Sequence, residues 1–413
     1  MAQTSPLRFG LAGLGGYAGR IGDLLLEASH RPGADIAWVA ACDPRPDLHA
    51  QRIQDLARHG VALVDDYPAM LQRYDLDAVW LPVPIDLHVP FATQALAAGK
   101  AVMLEKPVCG TVQELDQLIE ARDRAGRPLL VGFQDIYDPT TVQIKRHLLA
   151  GDLGPLRQVT LRCCWPRTQA YFTRADWAGM ARHRGTWVLD SPVNNAMAHY
   201  LNLALFLMGP DDETSRSPTS VAAELYRAAD IENYDTASLR LTFAQGPPLL
   251  VHMTHAADRN DGPTLEFIGE TGRILRTAKT ATIRLGQQTQ HLEVRAHDRQ
   301  DMLGCFCAAV RGQPTPGHAL ASLEVARAHT LTVNAASSAT PVHPIPERHL
   351  RQAIIEDSPA AVIPDIAEIF AACCDRNQML HESGRLPFTQ PAVTFHIPDD
   401  YRFTGLAHGT ART

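Results

Sequence analysis

Lys106 sits in the stretch VMLEKPVCG of a chain that carries almost all its positive charge on arginine, with only four lysines among 38 basic residues. An ammonium can be desolvated and have its pKa lowered, whereas a guanidinium stays protonated, so a lysine kept in such a composition reads as a chemical participant. A solvated lysine at a strand end is the plain alternative. Near the amino terminus, GLAGLGGYAGR sets Gly13, Gly15 and Ala18 in a G-x-G-x-x-A pattern, with Gly16 and Tyr17 inside it. Such a turn admits a pyrophosphate: one glycine bends the chain, the next lets the backbone approach, and a small third residue packs the helix. The helix amino terminus then offers amide donors and a partial positive charge. Asp43 follows IAWVAAC. A carboxylate there can accept both ribose hydroxyls and repel a 2′-phosphate, which favours NAD over NADP, although Arg45 two residues on could accommodate that phosphate.

The elements that would position these groups alternate strictly from residue 7 to about 133. LRFGLAG, DIAWVAACD, LDAVWLPVP, AVMLEKP and PLLVGF are short, apolar and bounded by Gly, Pro or Asp, as strands buried on both faces are. Amphipathic helical stretches lie between them. One opens with Thr111 and Glu114 at capping-box spacing and closes on Gly126. This predicts an α/β Rossmann unit, a doubly wound parallel sheet, over 1–133. After residue 150 longer alternating segments (GPLRQVTLRCCWP, TASLRLTFAQG, PLLVHMTHAA, PTLEFIGETGRILR, TATIRLGQQTQHLEV) predict a large, open, mostly antiparallel sheet with one wet face. Helices are expected near 194–208, 300–312 and 319–339, giving a second, α+β unit over 134–340. Residues 341–413, with a Pro-rich start, a helix near 364–383 and a loop-like end, are expected to pack on that second unit.

Composition narrows the function. A net charge of −7, with acids and bases mixed throughout, offers no stripe for phosphate backbones and argues against nucleic acid. No stretch approaches the roughly 18 continuous apolar residues of a spanning helix, and MAQTSPLRFGLAG has no secretory pattern, so no membrane is expected. None of the eight cysteines forms C-x-x-C, which suggests buried free thiols and a reducing cytoplasm. His252 and His255 in VHMTH stand three apart on a strand and point to opposite faces, so no metal is expected there. Trp165, Arg167, Tyr171, Trp177 and Arg182 cluster between a strand and an apolar helix. Aromatic platforms with arginines suit sugar rings or a carboxylate, and they equally suit loop anchoring.

With the glycine turn, VPIDLH after the third strand and EKP after the next, the chain resembles the glucose-fructose oxidoreductase / inositol dehydrogenase (Gfo/Idh/MocA) family. GFQDIYDPTTVQIKRHLLAGDLGPLRQV, MAHYLNLALFLMG and FIGETGRI are similar to later family segments in the same order. The resemblance covers roughly 7–340. It implies NAD(P), a site in the cleft between two domains, and a sugar, inositol or related polyol substrate. It also implies dimers or tetramers formed through the open sheet.

By position the resemblance adds Pro82, His88 and Glu105 to the cofactor side and makes Lys106 the family's lysine. Pro107 restricts Lys106 to an extended backbone, and a cis bond there would aim the side chain into the cleft. The family's catalytic histidine falls on His199, whose imidazole can take a hydroxyl proton near neutral pH. Many members place an aspartate four residues earlier, where this chain has Asn195. Either Asp190 substitutes through a longer turn, or Asn195 holds substrate without charge. The expected activity is hydride transfer at a secondary alcohol. Glycoside cleavage through transient oxidation and a non-catalytic dinucleotide sensor are the alternatives.

Overall fold

The computed structural model describes residues 5–296 and 299–407. Six short strands build the first layer: β1 (Leu7–Ala12), β2 (Ile36–Cys42), β3 (Ala62–Val64), β4 (Ala78–Leu81), β5 (Ala101–Leu104) and β6 (Leu129–Val131). All pair in parallel in the order β3-β2-β1-β4-β5-β6. The residues of β4 and β5 are buried throughout, which is why AVWL and AVML carry no polar alternation. Connecting helices are α1 (Gly16–Ser29), α2 (Ala50–Arg58), α3 (Tyr67–Arg73), α4 (Ile85–Ala97) and α5 (Val112–Ala125). Thr111 and Glu114 make the reciprocal capping box at the start of α5, and Gly126, at φ 58°, ends it in the left-handed conformation. The strand order reverses between β1 and β4, where their carboxyl ends diverge and a crevice opens.

After α6 (Pro139–Ala150) the chain enters a ten-stranded sheet centred on β7 (Leu156–Cys164). A four-residue helix α7 (Gln169–Phe172), a two-stranded ribbon of β8 (Arg182–His183) and β9 (Thr186–Trp187), and helix α8 (Ala198–Leu207) follow. The sheet continues with β10 (Ser220–Arg227), β11 (Thr236–Thr242), β12 (Leu249–Thr254), β13 (Asp261–Gly269), β14 (Gly272–Thr277), β15 (Thr280–Leu285) and β16 (Gln288–Glu293). Its pairs are antiparallel, save that β7 runs parallel to β12 and β10 runs parallel to β17 (His343–Pro344) at the sheet edge. Helices α9 (Gln300–Val310) and α10 (Leu323–Ala339) come next. α8 and α10 pack on one face of the sheet. Among the described residues no helix is long and apolar enough to cross a membrane.

Three features of the organisation add to the sequence reading. First, α9 returns to the first layer. Phe306 meets Phe9 of β1 edge to face at 5.9 Å, and Arg311 pairs with Asp35 at 3.0 Å. Second, the carboxyl-terminal segment packs on the large sheet, as expected of 341–413. Ribbon β18–β19 (Arg351–Ile355, Ser358–Val362), α11 (Ile366–Asp375) and α12 (Leu380–Ser383) lie over the central strands. There Phe370 stacks on His252 with centroids 5.1 Å apart, Glu224 accepts from His381 Nδ1 at 2.8 Å, and Arg240 binds both carboxylate oxygens of Glu382. Third, the segment does not stop at the second sheet. Strand β20 (Val393–His396) pairs with β10, and Phe403 then exchanges two hydrogen bonds with Gln113 of α5, at 2.9 and 3.1 Å.

Candidate active site

The glycine turn leaves β1 with Gly13 at φ 99°, where its N–H donates to Cys42 O at 2.7 Å. A Cβ at Gly13 would come within 3.1 Å of the Ala18 Cβ and 3.6 Å of Pro82 O, so the turn is packed tight from below. Helix α1 starts at Gly16 with Gly15 as its cap, no side chain bonds its first amides, and no acid stands in its first turn. Its amino-terminal N–H groups therefore face outward, as an anion site requires. The cavity beside it, about 450 Å³, is lined by Leu14, Gly15, Gly16, Arg20, His49 and Arg52 among others. Asp43 ends β2 and accepts from Leu14 N and Arg45 N, each at 2.9 Å, with His49 Nε2 at 3.6 Å. Arg45 approaches through its backbone, and its side chain is exposed. Tyr17 turns toward the start of α9, where Arg299 Nε donates to its hydroxyl at 2.8 Å. His88 is sealed below the surface, its ring between the carbonyls of Val83 and Pro107, so it braces two loops instead of lining the cavity.

At the carboxyl end of β5 the two halves of the chain meet on Lys106. The Lys106–Pro107 bond is cis. Lys106 Nζ donates to Asn195 O at 2.7 Å and to Asn195 Oδ1 at 3.1 Å. The other end of that amide, Nδ2, donates to Asp190 Oδ1 at 2.7 Å, and Asp190 Oδ2 accepts from Gly179 N at 2.6 Å. Asp190 thus fixes which way the Asn195 amide points, and Asn195 holds the ammonium. The two alternatives left open for Asn195 and Asp190 are parts of one chain of hydrogen bonds. Burial pushes the Lys106 ammonium down to about 8 against the pull of Glu105 and Asp190. Glu105 lies behind it, buried, accepting from Trp80 Nε1 at 3.1 Å, and burial raises its carboxyl. Leu189 beside Asp190 holds φ 45°, a conformation that costs a branched residue of order 1–3 kcal/mol and that clusters at functional sites. Asn195 itself lies in a single π-helical turn, Pro192–Ala196.

His199 begins the next helix. Lys145, the other strongly perturbed lysine, caps that helix's far end, donating to Phe206 O and to Gly209 O at 2.9 Å. The His199 ring stands edge to face with Phe133 at 5.9 Å, and its Nδ1 lies 3.9 Å from Asp135 Oδ2. Burial, reinforced by the Lys106 charge, lowers the imidazole well below its usual range, so it is neutral. Asp135 is gripped by Arg276 Nη2 at 2.5 Å, and both are buried. Sequence reasoning missed this pair. The signal was an arginine two residues from Ile274 on the core-facing side of β14, a place that demands a buried carboxylate.

The aromatic cluster splits. Arg167 and Arg174 stack on Tyr171, at 4.7 and 3.5 Å from the ring centroid, Arg174 also lies 5.1 Å from the Trp177 ring, and Trp165 meets Tyr200 edge to face. The same loop reaches the Lys106 network through Gly179, whose N–H donates to Asp190. Arg182 lies apart, 3.7 Å over Trp187, whose ring meets Phe403. His252 and His255 have separate surroundings: His252 faces α11, and His255 Nδ1 bonds Trp165 O at 2.8 Å.

Comparison with known proteins identifies the family. Residues 7–133 match the model of an oxidoreductase family with an NAD-binding Rossmann fold, and 141–275 match the GFO/IDH/MocA C-terminal domain. The chain is 28% identical to a dTDP-3,4-didehydro-2,6-dideoxy-alpha-D-glucose 3-reductase of Actinomadura kijaniata, over 73% of this chain and 84% of that one. It is 27% identical to inositol 2-dehydrogenase of Rhizobium meliloti, over 65% and 74%. Among solved structures, the WlbA dehydrogenase in complex with NADH and UDP-GlcNAcA superposes with a TM-score of 0.64 at 22% identity, covering 81% of this chain and 94% of that one. An inositol dehydrogenase homolog from Azotobacter vinelandii complexed with NAD+ gives 0.65 at 18% identity, covering 81% and 96%.

The buried Asp135–Arg276 pair sets a stability test. Asp135→Ala leaves an uncompensated guanidinium and should cost about 3–5 kcal/mol in urea unfolding, and a second change, Arg276→Met, should recover most of that loss.

Proposed function

This chain belongs to the Gfo/Idh/MocA oxidoreductase family, and from that premise we propose that it moves a hydride between NAD(H) and a secondary alcohol or ketone of a sugar, inositol or related polyhydroxy compound. One observation carries the reading: an ammonium from the end of β5, tied to Asn195, lies with a neutral imidazole from the start of α8. The residues fit the dinucleotide. Gly13 bends under Pro82, the first amides of α1 are free for a diphosphate, and Gly16 has nothing within 4 Å of its missing side chain. When bound, NAD supplies the hydride acceptor, or in its reduced form the donor. The Asp43 carboxylate at the end of β2 supports NAD over NADP, since a 2′-phosphate would be repelled there. The names of the Actinomadura and Rhizobium relatives support a sugar or inositol substrate. Eight buried, unpaired cysteines support a reducing compartment such as the cytoplasm.

In this reading His199 takes the hydroxyl proton, which its neutral ring is free to do. Lys106 holds the same oxygen and stabilises the negative charge it gains as the proton leaves. Asp135, 3.9 Å from Nδ1 and held by Arg276, is the carboxylate nearest the imidazolium that forms. Asp190 and Asn195 keep the ammonium aimed.

A screen of sugars and inositols for nicotinamide reduction tests the proposal. At least one should turn over, and Lys106→Met should lower kcat by about 10²–10³ while NADH binding persists. Turnover should fall as pH rises through about 8, where Lys106 loses its proton, and should show no histidine limb near 6.5. Glycoside cleavage without net NADH would assign the chain to transient oxidation, and NAD binding with no turnover on any compound would make it a sensor. Asp43→Ser should lower the NAD:NADP ratio of kcat/KM by about tenfold or more, and an unchanged ratio would remove Asp43 from cofactor choice.

A further inference from the structure

The corner formed by Arg167, Tyr171 and Arg174 brings two cations to one ring. Arg174 Cζ lies 3.5 Å from the Tyr171 centroid and Arg167 Cζ lies 4.7 Å from it. Among the described residues neither guanidinium forms an ion pair with a carboxylate, although other buried or half-buried arginines such as Arg122, Arg240 and Arg276 do. Each spends one N–H on its own loop: Arg167 Nη1 on Pro166 O at 2.9 Å, and Arg174 Nη1 on Tyr171 O at 2.5 Å. Arg167 Nε is buried with no hydrogen-bond partner at all. A donor left in that state costs about 1–3 kcal/mol, a cost that loop anchoring alone does not explain.

The corner is joined to the reacting groups by covalent and hydrogen-bonded steps. The loop that carries both arginines returns through Gly179, whose N–H donates to Asp190, and Asp190 is bound to Asn195, which holds Lys106. Trp165, at the start of the same loop, packs on Tyr200, the residue after His199. His255, 6.0 Å from the Tyr171 ring, is pushed down to about 3 by burial and by Arg167, so it adds no third charge and no counter-charge. The site therefore presents three cations, Lys106, Arg167 and Arg174, against two carboxylates, Glu105 buried behind Lys106 and Asp190 already engaged at both oxygens, and neither carboxylate pairs with an arginine of this corner. A neutral polyol would leave that excess unbalanced.

We infer that the Arg167–Tyr171–Arg174 corner is a subsite for an anionic oxygen group on the substrate, so that the natural substrate is an acidic sugar bearing a carboxylate or a phosphate ester. Two guanidinium forks offer the paired, planar donors that carboxylates and phosphates accept, and Tyr171 supplies an apolar platform beside them. The inference rests on the hydride-transfer reading for which oxygen reacts, and it adds what the rest of the molecule must carry.

Titration of the NADH-loaded protein with D-glucose, D-glucuronate and D-glucose 6-phosphate, followed by calorimetry, tests it. At least one of the two anions should bind about tenfold or more tighter than glucose, and which one does so names carboxylate or phosphate as the source. The double variant Arg167→Gln/Arg174→Gln should erase that ratio, with NADH affinity measured alongside to report folding. Equal binding of glucose and both anions, no binding of either anion at millimolar concentration, or a ratio that survives the double variant overturns the subsite. Arginine-dependent anion binding in a protein that turns over no sugar or inositol, acidic or neutral, would sustain the subsite and refute hydride transfer instead.

Discussion

An ammonium can be kept out of water at the seam between two layers only if both layers supply what it binds. Lys106 leaves the first sheet at the end of β5, yet the oxygens it donates to belong to Asn195, 89 positions later. The seam is closed by unusually tight contacts. A Cβ on Gly110 would fall 1.9 Å from the Trp187 carbonyl oxygen, so the loop after Lys106 lies directly on the β8–β9 ribbon. Asn334 of α10 then ties that loop at both ends, donating to Gly110 O at 2.8 Å and accepting from Val112 N at 2.9 Å. The carboxyl-terminal segment adds its pair of bonds between Phe403 and Gln113 across the same junction.

The charges at the seam divide the labour. Desolvation lowers both Lys106 and His199, but from different starting values, so one remains mostly cationic near neutral pH while the other is neutral. Groups whose environments separate their ionisation in this way are those that can act as proton acceptor and charge stabiliser side by side. Each has a buried carboxylate near it, Asp190 through Asn195 for Lys106 and Asp135 at 3.9 Å for His199, and each carboxylate is in turn fixed by another donor, Gly179 N or Arg276.

Much of this was legible in the sequence, and the limits have physical causes. The parallel sheet was readable because strands buried on both faces are written as short apolar runs. The glycine turn, Lys106 and His199 were readable because their chemistry is local to a motif. β10 was missed: SVAAELYR is rich in Ala, Glu and Leu, good helix formers, and becomes a strand only because β11, β17 and β20 flank it. The Asp135–Arg276 pair joins residues 141 apart, and no local period reports such a pairing. The cover of α11 and α12 over the sheet was hidden for the same reason. That cover holds on through His252, Glu224 and Arg240, residues that a strand pattern alone would give to solvent.

With only four lysines in the chain, the protonation of Lys106 can be read directly by nuclear magnetic resonance on protein labelled with 15N-lysine. Lys106→Met assigns its signal, which must be told from that of Lys145, also lowered to about 8. The seam described above requires Lys106 to titrate near 8 and to move lower still in Asp190→Asn, because the carboxylate favours the ammonium. An ordinary value near 10.5, unmoved by that substitution, would mean that Lys106 is solvated and that the two halves do not share it.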